Sequence, residues 1–132
     1  MNEYKYKSIM LIDDSDIDNM VNKHILSKNM VADNIIVFTS ANDALTYFSE
    51  NKTTTDEMLI PKIILLDINM PIMNGFGFLV EFEKITADNL KNTKVIMLTS
   101  SVDPNDIRRS KDYSSVISFI SKPLSLEHLD EI

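Results

Sequence analysis

The chain has 132 residues, 44% hydrophobic and 25% charged, with 20 acidic against 13 basic side chains and no cysteine. That is the make-up of one soluble domain with a real core, and a formal net charge of −7 argues against nonspecific nucleic-acid binding, which needs clustered lysine and arginine, and against adhesion to anionic membranes. The lack of cysteine removes disulfides, thiolate metal sites and thiol nucleophiles, and the opening "MNEYKYKSIMLIDD" has neither the apolar core nor the cleavage site of a secretory signal. No apolar run approaches the ~20 residues that span a bilayer, so the cytoplasm is the expected location.

An apolar run at Ser8–Ile12 predicts the first strand, ending at Asp13 and Asp14. Ile17, Met20, Val21, His24 and Ile25 then recur at i, i+3, i+4, i+7 and i+8, which predicts a helix with this stripe, His24 included, turned to the core. Asp16 and Asp18 suit the first turn, where the helix dipole favours acids. A second strand is expected at Asn34–Phe38. Ser40, with Asp43 three residues on, outlines a capping box for a helix carrying Ala41, Ala44, Leu45 and Phe48. After a polar loop from Glu50 to Leu59, the third strand runs Lys62–Leu66, and a helix bearing Phe78, Phe82 and Ile85 runs from about Gly75 to Ala87. The fourth strand is Lys94–Leu98. Asp103 as N-cap and Pro104 at the first helical position start a helix reaching Asp112. A fifth strand, Val116–Ile120, leads to a last helix that Ser125 opens at Leu126. Its apolar face of Leu126, Leu129 and Ile132 reads as a helix cut short at 132. The eight methionines read as core filler. The whole is a single α/β domain over residues 1–132: (βα)5, a doubly wound five-stranded parallel sheet with helices on both faces.

The chemistry lies where strands end. In "IILLDINMP", Ile63 to Pro71, four apolar residues run straight into Asp67, and a carboxylate leaving water needs a partner or a task. Open α/β sheets build their sites at the carboxyl ends of the strands. Those ends carry Asp13 and Asp14, Asp67, Thr99 with Ser100 and Ser101, and Lys122 followed by Pro123. Two unit charges 4 Å apart repel by about 4 kcal/mol at an effective dielectric of 20. Lys122 offers one offsetting cation and a hard divalent ion such as Mg²⁺ a second. A carboxylate beside both is suited to attack phosphorus and form an aspartyl phosphate. A calcium loop on Asp14, Asp16 and Asp18 would need Gly and Glu where Asn19 and Ile25 stand.

The motifs "LIDDS", "LLDINMPIMNG", "MLTSS" and "FISKP", in this order, resemble those of a response-regulator receiver domain of two-component signalling. The resemblance covers nearly the whole chain. It implies a flavodoxin-like strand order 2-1-3-4-5 and Asp67 as phosphoacceptor. It makes Asp14 the direct Mg²⁺ ligand and Asp13 a ligand acting largely through water. The backbone carbonyl of Asn69 completes the metal shell, and Mn²⁺ is an acceptable substitute. It gives Thr99 and Lys122 to the phosphoryl group, Phe119 the role of aromatic switch, and a cis bond before Pro123, which X-Pro alone makes cheap. Asn69 and Ser101 fall where the family tunes the loss of phosphate. The segment "DYSSVIS" departs from the Gly-Ala that many receivers carry there. The implied partners are a histidine kinase or phosphotransfer domain, a downstream protein, and a second copy in a phosphorylation-dependent homodimer. Neither nucleic acid nor membrane is an expected partner. Such a protein turns over no metabolite and is not an enzyme in that sense. Two other readings stand beside it: a receiver-like interaction module working without phosphate, and a phosphatase with an aspartyl nucleophile. The latter wants a second Asp two residues after the first, where Asn69 stands.

Overall fold

The structure, a computed structural model, describes residues 3–85, 87–101 and 103–132. Five strands, β1 (Tyr6–Ile12), β2 (Ala32–Phe38), β3 (Ile63–Leu66), β4 (Lys94–Thr99) and β5 (Val116–Ser121), form one parallel sheet in the order β2-β1-β3-β4-β5. Between them lie the helices α1 (Asp16–Lys28), α2 (Ala41–Glu50), α3 (Gly75–Glu83) and α4 (Pro104–Ser110), with 3-10 helices at Asp88–Leu90 and Leu126–Glu131. The doubly wound parallel sheet is what the alternation of strands and helices predicts, and the strand order is the flavodoxin-like one that the receiver resemblance implies. No helix among the described residues is long and apolar enough to cross a membrane.

Side chains alternate across the pleat, so each strand feeds two cores. Met10, Ile12, Ile64, Leu66, Val95 and Met97 face one side and meet Ala44 and Phe48 of α2 and Phe76, Phe78, Leu79 and Phe82 of α3. Ile9, Leu11, Ile63, Leu65, Ile96 and Leu98 face the other and meet Leu26 of α1, Leu124 and Ile132. All four residues of β3 are buried, as a strand covered on both faces must be. Register then sets the site. Leu66 pairs with Ile12 on one side and Met97 on the other, and the Asp67 amide donates to the Ile12 carbonyl at 3.0 Å. The first residues beyond β1 and β3 therefore emerge level, on the same edge.

The facing of α1 reverses the expectation for four of the stripe's residues, while Ile25 packs partly buried on the core. Ile17 and Met20 are 69% and 66% exposed, Val21 and His24 are also exposed, and the buried residues are Asn19, Asn22 and Leu26. Polar bonding at the start of the helix sets this rotation. The Ser15 hydroxyl accepts from the Asp18 amide at 3.2 Å, and Asn19 Nδ2 donates to the Asp13 carbonyl at 2.7 Å. Once Asn19 faces inward, residues 17, 20, 21 and 24 must face out, because they lie across the helix from it.

Three smaller corrections concern lengths and packing. The third helix stops at Glu83 rather than Ala87, and a 3-10 turn stands at Asp88–Leu90. The last helix is 3-10, opened by Ser125, whose amide bonds His128 Nδ1 at 3.2 Å. Leu129 and Ile132 pack on the core while Leu126, at the helix's first position, is 66% exposed. Met10, Met70 and Met97 are core residues, but Met20 and Met30 are exposed.

Candidate functional site at the carboxyl edge of the sheet

Asp13 and Asp67 directly follow β1 and β3 and are each 5% exposed; Thr99, the last residue of β4, is fully buried. Asp14 is exposed. One carboxylate oxygen from each of Asp13, Asp14 and Asp67 lies within 4.8 Å of the others. Asp13 is tied down on both oxygens. Oδ1 accepts from the Ser15 amide at 2.9 Å, and Oδ2 accepts from Lys122 Nζ at 2.6 Å.

Lys122 follows β5, and its amide donates to the Thr99 carbonyl at 2.9 Å, which locks the ends of β4 and β5 together. The Lys122–Pro123 bond is cis. The ammonium bonds Asp13 (2.6 Å) and Asp18 (2.9 Å) and stands 3.7 Å from Asp67 Oδ2. Burial alone would lower its pKa. Hydrogen bonds to Asp13 and Asp18, with the charge of Asp67, outweigh that and hold it above the ordinary lysine value.

Asp67 is the under-satisfied member. Its Oδ1 is buried and has no hydrogen-bond partner among the described residues. An unsatisfied buried acceptor costs about 1–3 kcal/mol, more if charged. Accordingly burial pushes the Asp67 carboxyl above the ordinary carboxylate value and the charge of Asp13 adds to the rise, while Lys122, the Thr99 hydroxyl and the Asn69 amide act against it. The Thr99 oxygen accepts from the Ser101 amide at 3.2 Å, which leaves its proton directed to Asp67.

Phe119 stands apart from the carboxylates. It is half-buried against the core under α2 and α3 and lines a cavity of about 110 Å³ with Ile107, Ser110 and Val116. Asn69 is exposed, two residues beyond Asp67.

Sequence reasoning missed three contributors. Asp18, assigned to the helix dipole, holds Lys122. Gly75 opens α3 directly on the site's backbone: a Cβ there would lie 2.5 Å from the Asp67 carbonyl oxygen and 3.0 Å from Ile68 Cα, and the Gly75 amide donates to Ile68 O at 2.8 Å. The Asn-Gly pair at 74–75 was the available signal, and Asn74 indeed caps α3 through the Gly77 amide at 2.9 Å. Third is Ile72, which is 99% exposed with φ 70°, inside a turn closed by Met73 N to Pro71 O at 2.8 Å. A β-branched residue in that region is strained, so the loop after Asp67 is held in an unusual shape.

The donor set fits a hard divalent cation. Three carboxylates converge, and among the described residues one of them presents a buried oxygen without a partner and the ligand cluster is all-oxygen.

A family model described as "Response regulator receiver domain" matches residues 9–132. A two component response regulator from Cytophaga hutchinsonii, known as a crystal structure, is 32% identical with a TM-score of 0.85, covering 96% of this chain and 92% of that one. The Mn(2+)-bound form of response regulator Rcp1, a Synechocystis protein, is 25% identical with a TM-score of 0.72, covering 95% and 87%. Sensor histidine kinase CheAY of Helicobacter pylori is 38% identical over 55% of this chain and 9% of its own length. This chain covers 9% of the length of CheAY and 81% of that of Rcp1.

Proposed function

Because the chain belongs to the response regulator receiver domain family, we propose that Asp67 accepts a phosphoryl group from a histidine kinase or phosphotransfer domain, and that the resulting aspartyl phosphate switches protein contacts. The carrying observation is Asp67 Oδ1, buried and unpartnered beside a lysine and two further carboxylates. That oxygen attacks the phosphorus of a phosphohistidine. The P–N bond breaks, and its electron pair leaves with the imidazole, which takes up a proton. Loss of the group is attack by water on the same phosphorus, releasing inorganic phosphate and restoring the carboxylate. Asp13, Asp14, Asp67 and the backbone carbonyl of Asn69 would hold Mg²⁺ or Mn²⁺, which when bound supplies positive charge to the phosphoryl oxygens. Lys122 supplies a second positive charge, and Thr99 donates its hydroxyl to a phosphoryl oxygen.

The partner surfaces follow from exposure. Ile17, Met20 and Val21 on α1 begin three residues beyond the exposed Asp14 and offer an apolar stripe to the donor. The match to part of a sensor histidine kinase supports that kind of partner. Ile107, Ile117 and Leu126 are exposed on α4, β5 and the last helix, beside the cavity that Phe119 lines. They are the surface for a downstream protein or a second copy. Thr99 drawn towards the phosphoryl group moves the loop before α4, and Phe119 responds within its cavity. The chain turns over no metabolite and works in the cytoplasm beside its kinase.

Titration with beryllofluoride and Mg²⁺, followed by NMR, tests this. Shifts are expected around Asp14, Asp67, Thr99 and Lys122 only when both reagents are present. Thr99→Ala should still bind but lose the shifts at residues 103–122. No saturable response in the wild-type protein, or an equal one in Asp67→Asn, would contradict the reading.

A further inference from the structure

Lys122 is shared among three carboxylates, and the two that hold it are not the phosphoacceptor. Its ammonium lies 2.6 Å from Asp13 and 2.9 Å from Asp18, against 3.7 Å from Asp67. Asp13 is expected there on any reading of the site. Asp18 is not: it belongs to the first turn of α1 and is half-exposed. Its neighbour Asp16 shares that turn, yet no ion pair forms on it among the described residues. What separates the two is the rotation of α1. The Ser15 cap and the bond from Asn19 to the Asp13 carbonyl turn residue 18 towards the end of β5 and leave residue 16 in solvent.

We propose that Asp18 is a positioning residue that restrains Lys122 in the unphosphorylated protein, so that a phosphoryl group on Asp67 must take the lysine away from it. This rests on the reading of Asp67 as phosphoacceptor. An incoming anion gains only the difference between its own interaction with Lys122 and the one it breaks. Asp18 therefore lowers the affinity of the site for a phosphoryl group and its mimics. A half-exposed ion pair is a modest competitor, worth about a threefold change in binding. The residue acts through Lys122 and needs no contact with phosphorus.

The test compares beryllofluoride half-saturation, at saturating Mg²⁺, in the wild-type protein, Asp18→Asn and Asp16→Asn, with thermal stability measured alongside. Asp18→Asn should bind about threefold more tightly. Asp16→Asn should bind as the wild type does, since it removes an equal charge from the same helix turn without touching Lys122. Both variants lose the same first-turn helix-dipole contribution, so a purely structural role for Asp18 would change stability alike in both and binding in neither. Unchanged or weaker binding by Asp18→Asn overturns the inference, as does equal tightening in Asp16→Asn. A wild-type protein that shows no saturable binding overturns the phosphoacceptor reading itself, which a failure confined to Asp18→Asn would leave standing.

Discussion

The two edges of the sheet treat polar groups in opposite ways. At the amino edge they are used up in bonds to backbone and neighbours. Ser8 donates to Glu57 O, Asn34 to Met58 O, and the buried Thr93 to Pro61 O, at 2.7 to 2.9 Å. Ser115 gives both its amide and its hydroxyl to Glu83. Asn89 bridges the carbonyls of Asn51 and Thr54. At the carboxyl edge, carboxylates crowd round one lysine, and Asp67 keeps a buried oxygen without a partner among the described residues. Asn19 and Asn89 also leave an amide oxygen unpaired, but a neutral oxygen is far cheaper to bury than an ionised one. The contrast separates polar groups that hold loops in place from those kept available for chemistry.

Substitutions at each edge can break that contrast. Asp14→Ala should have the largest effect. Phosphorylation by acetyl phosphate in millimolar Mg²⁺ should slow on the order of 10³-fold, about 4 kcal/mol in barrier, with the fold intact; near-normal labelling in a mass time course would remove Asp14 from the metal site. Next comes Gly75→Ala. Its new Cβ would press on the Asp67 carbonyl, a backbone atom that cannot swing aside. Overpacking of this kind costs about 1–3 kcal/mol, read by denaturant unfolding, and displacement of Asp67 should slow labelling as well. Thr93→Val strips the bond to Pro61 O from a residue 3% exposed. It should lose about 1 kcal/mol while labelling proceeds at the wild-type rate; a labelling defect there would blur the division between the edges.

An effect of similar size falls on the metal-free fold. Burial raises the Asp67 pKa above its unfolded value, so wild-type stability falls as pH rises through the folded value and is recovered below the ordinary carboxylate range. Asp67→Asn should then be the more stable protein at neutral pH, by about 1 kcal/mol. The gain should shrink as acid protonates the wild-type carboxyl. Unfolding midpoints for the two proteins across pH 3–8 check the sign.

The strands, and the residues that end them, were legible because a doubly covered parallel strand leaves a continuous apolar run, and a run that stops on Asp67 or on Asp13 stands out. The facing of α1 was not. Helical spacing shows that Ile17, Met20, Val21 and His24 share a face, but it is silent on whether that face is packed or presented. The deciding bond, Asn19 to the Asp13 carbonyl, is invisible to hydrophobicity. Asp18 does sit in the first turn of α1, but its bond to Lys122 was hidden for a related reason: that partner lies 104 residues away in the sequence. The role of Gly75 needed coordinates too, since it depends on the backbone of Asp67 standing where a Cβ would go.

The most direct test of the central claim is the intact mass of the wild-type protein and Asp67→Asn after incubation with acetyl phosphate and Mg²⁺. The account predicts one phosphoryl adduct on the wild type, absent without Mg²⁺ and absent from Asp67→Asn under every condition. An adduct that survives Asp67→Asn, or a wild-type protein that never gains one, would contradict it.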